Sequence, residues 1–140
     1  MAERLNACSV TSGVSRGKLL VTDQAISFWG GVDPASGRII DPRHDLFGQS
    51  IAGKVLAFPF GKGSSTTSLI ILELVRCGVA PEAIVNIHAE PILATGPIVS
   101  KGFYGKSIPM VTLSKADFQK LSSGREVVVD ADRGTVELIA

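Results

Sequence analysis

The chain has 140 residues, a length that suits one domain with a single compact core. Hydrophobic residues make up 45% and charged residues 19% of it, and the net charge is +1 with no basic run. This composition is typical of a packed globular domain and argues against nucleic-acid binding. No apolar stretch reaches the roughly 20 residues that span a bilayer, and the first residues, MAERLNACSV, do not resemble a signal peptide. We therefore expect one domain over residues 1–140, cytoplasmic, with no nucleic-acid or membrane partner.

The segment GKLLVTDQAISF is predicted to be a strand that passes into a loop, and KVLAFPF is predicted to be a short buried strand. Between them lies WGGVDPASGRIIDPRHDLFGQSIAG, a stretch dense in Gly, Pro and Asp. It is too long for a simple turn, and long ordered loops are often functional. A helix is predicted from Ser64 to its stop at Gly78, because apolar residues recur there at helical spacing.

After this helix, AIVNIHA and IPMV are predicted strands, separated by EPILATGPIVSKGF, a predicted short helix interrupted near Gly96 and Pro97. The segment SKADFQKLSSG is predicted to be a helix that Ser114 caps and Gly124 ends. REVVVDADRGTVELI is predicted to be a hairpin that turns at residues 132–134. The order of elements indicates a mixed α/β domain with some parallel strand pairing.

The two cysteines, Cys8 and Cys77, lie far apart in the sequence. Such a pair cannot by itself hold a zinc ion or an iron–sulfur cluster, and Cys77 is interpreted as a core residue. Any metal that this chain works with must be held mostly by another chain. The positive mean hydropathy agrees with this inference. In so short a chain it indicates that some apolar surface faces a partner and not the chain's own core.

The segment GKGSS, residues 61–65, stands between a predicted strand and a predicted helix. A P-loop is excluded because Leu56 replaces its first glycine, and a dinucleotide fingerprint is excluded because Thr66 replaces its third. A nucleophile elbow is excluded because Thr67 stands where its second glycine belongs. Two interpretations remain: a serine that only caps the helix, or a site at the helix N-terminus that binds a phosphate or a carboxylate.

The same segment resembles the GxGSSRE turn of the aconitase superfamily's swivelling domain. The wider pattern, SFWGGVDPASGRIIDPRHDLFGQSIAGKVLAFPFGKGSSTTSLIILEL, is similar to the small subunit, or swivel domain, of the aconitase X family. This resemblance extends from about Gly17 to Val111. It implies a swivelling β/β/α fold that closes over a large subunit, which carries the iron–sulfur cluster and most of the substrate site.

The resemblance also implies a hydro-lyase. The family dehydrates cis-3-hydroxy-L-proline to Δ1-pyrroline-2-carboxylate in bacteria and dehydrates 5-phosphomevalonate in archaea. We expect the hydroxyproline reaction, because the chain lacks the Lys- and Glu-rich composition of hyperthermophile proteins. The phosphomevalonate reaction is the alternative, and a non-catalytic anion-binding module is the rival from another class. Thr66 and Thr67 replace the Arg and Glu of the GxGSSRE turn, which argues against a tricarboxylate substrate.

By the same resemblance, Ser64 is the base that removes the substrate proton, and Gly61, Lys62, Gly63 and Ser65 line the site around it. A serine hydroxyl is too weak an acid to ionise unaided, and a helix N-terminus supplies at most about 2 kcal/mol, or about 1.5 pKa units. The remaining stabilisation must come from backbone N–H groups, from Lys62 or from the partner. Ser64 is therefore expected to be inert in the isolated subunit.

The loop SFWGGVDPASG is the second predicted wall of the site. Gly30 and Gly31 would allow backbone to approach a ligand, and Asp33 could orient a substrate amine or a partner arginine. The alternative is a structural loop with Trp29 packed in the core. We expect His44 to be a loop histidine whose hydrogen bonds are satisfied within the chain. We expect His88 to have no phosphocarrier role.

Overall fold

A computed structural model describes residues 3–61, 67–89 and 91–139. Within these ranges the chain forms eight strands and four helices, of which α1 is a single irregular turn. The strands are β1 Glu3–Asn6, β2 Cys8–Thr11, β3 Val14–Val21, β4 Val55–Ala57, β5 Ala83–Asn86, β6 Met110–Thr112, β7 Glu126–Asp130 and β8 Thr135–Leu138; the helices are α1 Phe28–Gly31, α2 Thr67–Arg76, α3 Pro91–Tyr104 and α4 Lys115–Phe118.

The strands pair in the order β1-β8-β7-β3-β4-β5-β6-β2. The central strands β3, β4, β5 and β6 are parallel to one another, whereas β2 at one edge and β7, β8 and β1 at the other pair antiparallel. Strands β4 and β5 consist of the short apolar runs VLA and AIVN and are buried throughout. Continuous burial is what a strand with both faces covered requires.

Side chains of the parallel strands alternate between two separate cores, because successive strand residues point to opposite faces. Leu56 belongs to a cluster that contains Ile71 of α2, whereas its neighbour Val55 belongs to a cluster that contains Val127 of β7. Helices α2 and α3 thus cover one face of the parallel strands, and the antiparallel strands β7, β8 and β1 cover the other. The three layers confirm the expected β/β/α arrangement.

Helix α3 runs without a break from Pro91 to Tyr104, so the predicted interruption near Gly96 and Pro97 is wrong. A proline inside a helix costs about 3 kcal/mol when nothing compensates. Here α3 packs against α2 at Gly96, where an added Cβ would lie 2.9 Å from Cβ of Ile71. The close contact between the two helices offsets the proline, as tertiary packing commonly does for helices.

Two further elements differ from the sequence-based prediction. The α-helix predicted from Ser114 to Gly124 is only one turn, Lys115–Phe118, although the Ser114 hydroxyl does cap it, accepting the Asp117 N–H at 3.2 Å. Strands β1 and β2 were not predicted, because much of each is exposed and their apolar pattern is weak. The hairpin β7–β8 is confirmed, with Asp130 paired to Thr135 across the turn. No helix in the described ranges is both long and apolar enough to span a bilayer.

Candidate functional site

Two loops meet beyond the carboxyl ends of the parallel strands. The loop after β3 contacts the chain after β4 through a parallel bridge between Ile26 and Gly61, and the Ile26 N–H lies 3.4 Å from the Phe60 oxygen. In α/β sheets this edge is where ligands bind, since side chains from several loops converge there. The two walls predicted from the sequence therefore begin side by side.

Gly61 is a point of close approach between the chain and helix α3. An added Cβ at this position would lie 2.9 Å from Cδ2 of Leu93, and the residue is not among those with positive φ. An alanine here would have to displace only the tip of the Leu93 side chain, and the backbone conformation does not demand a glycine. The other predicted residues of this turn, Lys62, Gly63, Ser64 and Ser65, lie outside the residues that the structure describes.

The turn α1 begins the second wall and presents Trp29 to solvent. The Trp29 residue is 61% exposed, so the alternative in which it packs in the core is wrong. Gly30 has φ of 77°, a conformation that only glycine adopts readily, and Gly31 is buried. This backbone turns Trp29 outward while Phe28 remains in the core.

Asp33 orders its own loop. Its two carboxylate oxygens accept hydrogen bonds from the Ala35 N–H at 3.1 Å and from the Ser36 hydroxyl at 2.7 Å. The Ser36 hydroxyl, followed by the Ala35 N–H, lowers the pKa of Asp33. An ionised, locally bonded carboxylate holds the turn in shape. Its contact with a substrate amine or a partner arginine stays a prediction.

A cavity of about 430 Å³ lies between this wall and the following stretch of the long loop. Two of its lining residues, Ser27 and Gly31, come from the predicted wall, and Ile26 connects it to Gly61. The lining residues are Gln24, Ala25, Ile26, Ser27, Gly31, Ile39, Asp41, Arg43 and His44. We call this cavity the His44 cavity.

His44 is the most buried polar group of the His44 cavity, with a side chain only 8% exposed. Its Nδ1 accepts the Leu46 N–H at 3.1 Å. A backbone N–H can only donate and a carboxylate oxygen can only accept, so the contacts of Nδ1 with Leu46 and with Asp45 do not fix one tautomer of the ring. The Asp45 carboxylate, 3.2 Å from Nδ1, accepts the Thr22 hydroxyl at 2.6 Å.

The Nε2 atom of His44 is buried and has no hydrogen-bond partner among the described residues. The prediction that His44 is a loop histidine with satisfied hydrogen bonds therefore holds at Nδ1 and is wrong at Nε2. Sequence reasoning missed this group because its partners lie on a loop that is distant from any regular element. The signal available was DPRHD, a run of charged residues inside a loop too long to be a simple connection.

A second cavity, of about 790 Å³, opens on the other side of Phe60. His88 lines this cavity and not the first, and its side chain is exposed. The remaining lining residues are Asp23, Pro59, Phe60, Ile87, Leu113, Ser114, Lys115, Phe118 and Gln119. The structure thus separates the two histidines: Phe60 lines the cavity of His88, and its neighbour Gly61 is bridged to Ile26 of the His44 cavity.

The described part of the chain contains no group of three or more His, Cys, Asp or Glu residues that could hold a metal ion. Cys8 is exposed on β2, and Cys77 is partly buried just after α2. These residues do not fit an iron–sulfur cluster, which takes several cysteine ligands at one place.

Comparison with known proteins agrees with this geometry. The aconitase X swivel domain family matches residues 4–138. The phosphomevalonate dehydratase small subunit of Pyrococcus furiosus is 44% identical over 98% of this chain and 96% of its own length, and that of Thermococcus onnurineus is 46% identical over 96% and 98%. The holo-form crystal structure of Thermococcus kodakaraensis aconitase X matches with a TM-score of 0.88 and 43% identity, over 99% of both chains.

A UPF0107 protein solved by solution NMR matches with a TM-score of 0.87 and 38% identity, over 99% of this chain and 100% of that one. Each of these matches covers nearly the whole chain, and both the family model and the crystal structure are described as aconitase X. The chain therefore belongs to the aconitase X family, as a swivel domain of the kind that serves as the small subunit of a dehydratase.

Proposed function

We propose that this chain forms one wall of the active site of a 5-phosphomevalonate dehydratase, which is completed by a large aconitase X subunit. The observation that carries the substrate is the similarity to small subunits that bear this name, at 44% and 46% identity over nearly full length. The argument for cis-3-hydroxy-L-proline came from the amino-acid composition, which bears on the source organism and not on the pocket. It is therefore weaker evidence for the substrate than this similarity. Family membership likewise argues against a non-catalytic anion-binding module.

In this proposal Ser64 removes the substrate proton. It follows Gly61 by three residues, and Gly61 is held between Ile26 of the opposite loop and Leu93 of α3. Three residues of chain reach at most about 11 Å, so Ser64 acts close to the edge where the two walls meet. Proton transfer by a positioned side chain contributes about 10²–10⁴-fold to a rate.

The iron–sulfur cluster is assigned to the large subunit, since the described residues of this chain offer no ligand set for one. The task of this chain is then to bind and orient the substrate and to supply the base. Trp29 at 61% exposure and Phe60 at 44% leave apolar surface on both sides of Gly61, where a partner would cover it.

The test is co-expression with a large aconitase X subunit, followed by dehydration assays of the complex on both substrates. We expect turnover of 5-phosphomevalonate by the complex and none by either chain alone. Turnover of cis-3-hydroxy-L-proline without turnover of 5-phosphomevalonate would show that cis-3-hydroxy-L-proline is the substrate instead. A complex that forms and dehydrates neither compound would refute the proposed function.

A further inference from the structure

The parallel ladder between β4 and β5 shifts by one residue at its carboxyl end. The Phe58 N–H donates to the Val85 oxygen at 3.1 Å, so in a regular ladder the Ile87 N–H would donate to the Phe58 oxygen. The Ile87 N–H instead donates to the Pro59 oxygen at 2.9 Å. The shift deprives the Phe58 oxygen of its usual main-chain partner at a residue that is fully buried.

Asn86 replaces the missing partner with its side chain. The residue is fully buried, and its Nδ2 donates to the Phe58 oxygen at 2.8 Å. Its main-chain oxygen accepts the Leu113 N–H at 2.8 Å, so the neighbouring chain after β6 holds the backbone from which this side chain extends. The other amide atom, Oδ1, is buried and has no hydrogen-bond partner in the described part of the chain.

Packing alone does not explain an asparagine at this position. The residues of β4, and those of β5 before Asn86, are all apolar and buried. A buried acceptor without a donor, such as Oδ1 of Asn86, costs about 1–3 kcal/mol. The value of this residue therefore lies in the carbonyl oxygen that its amide nitrogen holds.

The segment that Asn86 holds, residues 58–60, leads directly to the Gly61 turn. The two oxygens that follow Phe58 have main-chain donors: that of Pro59 also accepts the His88 N–H at 3.0 Å, and that of Phe60 faces the Ile26 N–H at 3.4 Å. The donor at Phe58 is a side chain. A substitution at residue 86 can therefore loosen the segment without removing a main-chain group.

We infer that Asn86 is a positioning residue, which fixes segment 58–60 and thereby the Gly61 turn that carries the proposed base, Ser64. The inference rests on the proposed function for the role of Ser64. Asn86 is fully buried, so it acts on the reaction only through this segment. A displacement of a reacting group by about 1 Å can cost about 10²-fold in rate, so the loss of the anchor is expected in kcat.

The test compares Asn86→Ala with Ser100→Ala in the complex with the large subunit. Ser100 is also fully buried, and its hydroxyl donates to the Lys106 oxygen at 3.0 Å, but Lys106 precedes β6 and lies at the opposite edge of the parallel strands. Each substitution removes one buried bond from a side chain to the main chain, so both should lower Tm. Only Asn86→Ala should also lower kcat, by about tenfold or more, with KM within about threefold.

Asn86→Ser is a milder change, in case the alanine variant does not fold. Its hydroxyl is too short to replace the bond to the Phe58 oxygen, so the same loss of kcat is expected. A purely structural role predicts a lower Tm and a normal kcat in the folded complex. A kcat within about twofold of wild type in a folded Asn86 variant, or an equal loss of kcat in Ser100→Ala, would overturn the positioning role.

Hydrogen exchange of the full chain alone separates this inference from the proposed function. The Ile87 and His88 N–H groups should exchange about tenfold faster in Asn86→Ala than in Ser100→Ala, because the segment that they bond opens more often without its side-chain anchor. If the complex fails to dehydrate 5-phosphomevalonate and these groups still exchange faster, the proposed function fails and the anchor stands. Equal exchange in the two variants would overturn the anchor even in an active enzyme.

Discussion

At the scale of single residues, Gly61 and His44 show how differently two positions of one site can be inferred. Gly61 is visible in the sequence as part of a motif, and the structure adds that it lies against the side chain of Leu93. His44 belongs to no motif, and only its three-dimensional surroundings show that Nδ1 is bonded and Nε2 is not. Motifs identify residues that carry chemistry, whereas satisfaction of hydrogen bonds depends on neighbours in space.

The role of Ser64 is tested by replacing it in the assembled enzyme. Ser64→Ala should lower kcat at least about 10²-fold and leave KM nearly unchanged, because a proton-abstracting group acts in the transition state. Ser65→Ala is the matched control and should cost only about 1 kcal/mol, the worth of a cap or of one hydrogen bond. Steady-state kinetics and Tm of both variants are measured in complex with the large subunit.

A serine that serves only as a helix cap gives the opposite result: a lower Tm with nearly normal kcat in the folded enzyme. If Ser64→Ala retains more than about a tenth of wild-type kcat, Ser64 is not the base.

At the scale of elements, the packed pair α2 and α3 lies beside Gly61. Helix α2 begins its described part at Thr67, soon after the turn, and α3 provides Leu93, against which Gly61 rests. The two helices approach each other closely because Gly96 has no side chain toward Ile71. The surroundings of Gly61 therefore depend on the packing between these helices.

Two glycines of α3 offer a matched test of this packing. Gly96→Ala should destabilise the chain by about 1–3 kcal/mol, since its Cβ would lie 2.9 Å from Cβ of Ile71. Gly102→Ala should instead stabilise it by up to about 1 kcal/mol, because nothing lies within 4 Å of its Cβ and alanine favours a helix. Urea denaturation gives the free energy of unfolding of each variant, and equal changes in both would contradict the role of Gly96.

At the scale of the whole molecule, the core is closed and the edge where the two walls begin is open. The two cores cover both faces of the parallel strands, whereas the described residues leave Trp29 exposed and contain no group of three or more possible metal ligands. The large subunit is expected to supply what this edge lacks. The isolated chain can thus be a stably folded swivel domain and still have no activity.

The isolated chain is accordingly expected to bind no iron–sulfur cluster and to have no dehydratase activity. Purification under anaerobic conditions, followed by iron and sulfide analysis, measures this directly. The complex with the large subunit is the control and should contain both elements. A stoichiometric cluster in the single chain would show that Cys8, Cys77 or residues outside the described ranges act as ligands after all.

Elements with a local residue pattern can be predicted from the sequence alone. The buried strands β4 and β5, the hairpin β7–β8 and the cap at Ser114 follow from apolar runs, turn residues and a hydroxyl at a helix start. The GKGSS and SFWGGVD motifs were sufficient to identify the family. Each of these features depends on residues close together in the chain, so it can be read before the fold is known.

Features that depend on residues far apart in the chain become visible only in the fold. Strand β1 forms because Glu3 to Asn6 pair with β8 at the far end of the chain, and α3 stays continuous through Pro97 because Gly96 packs on Ile71. The His44 cavity exists because the long loop folds back onto residues 24–27 beside Gly61. Pairing, packing and desolvation across such distances are set by the whole fold, and no local pattern of residues encodes them.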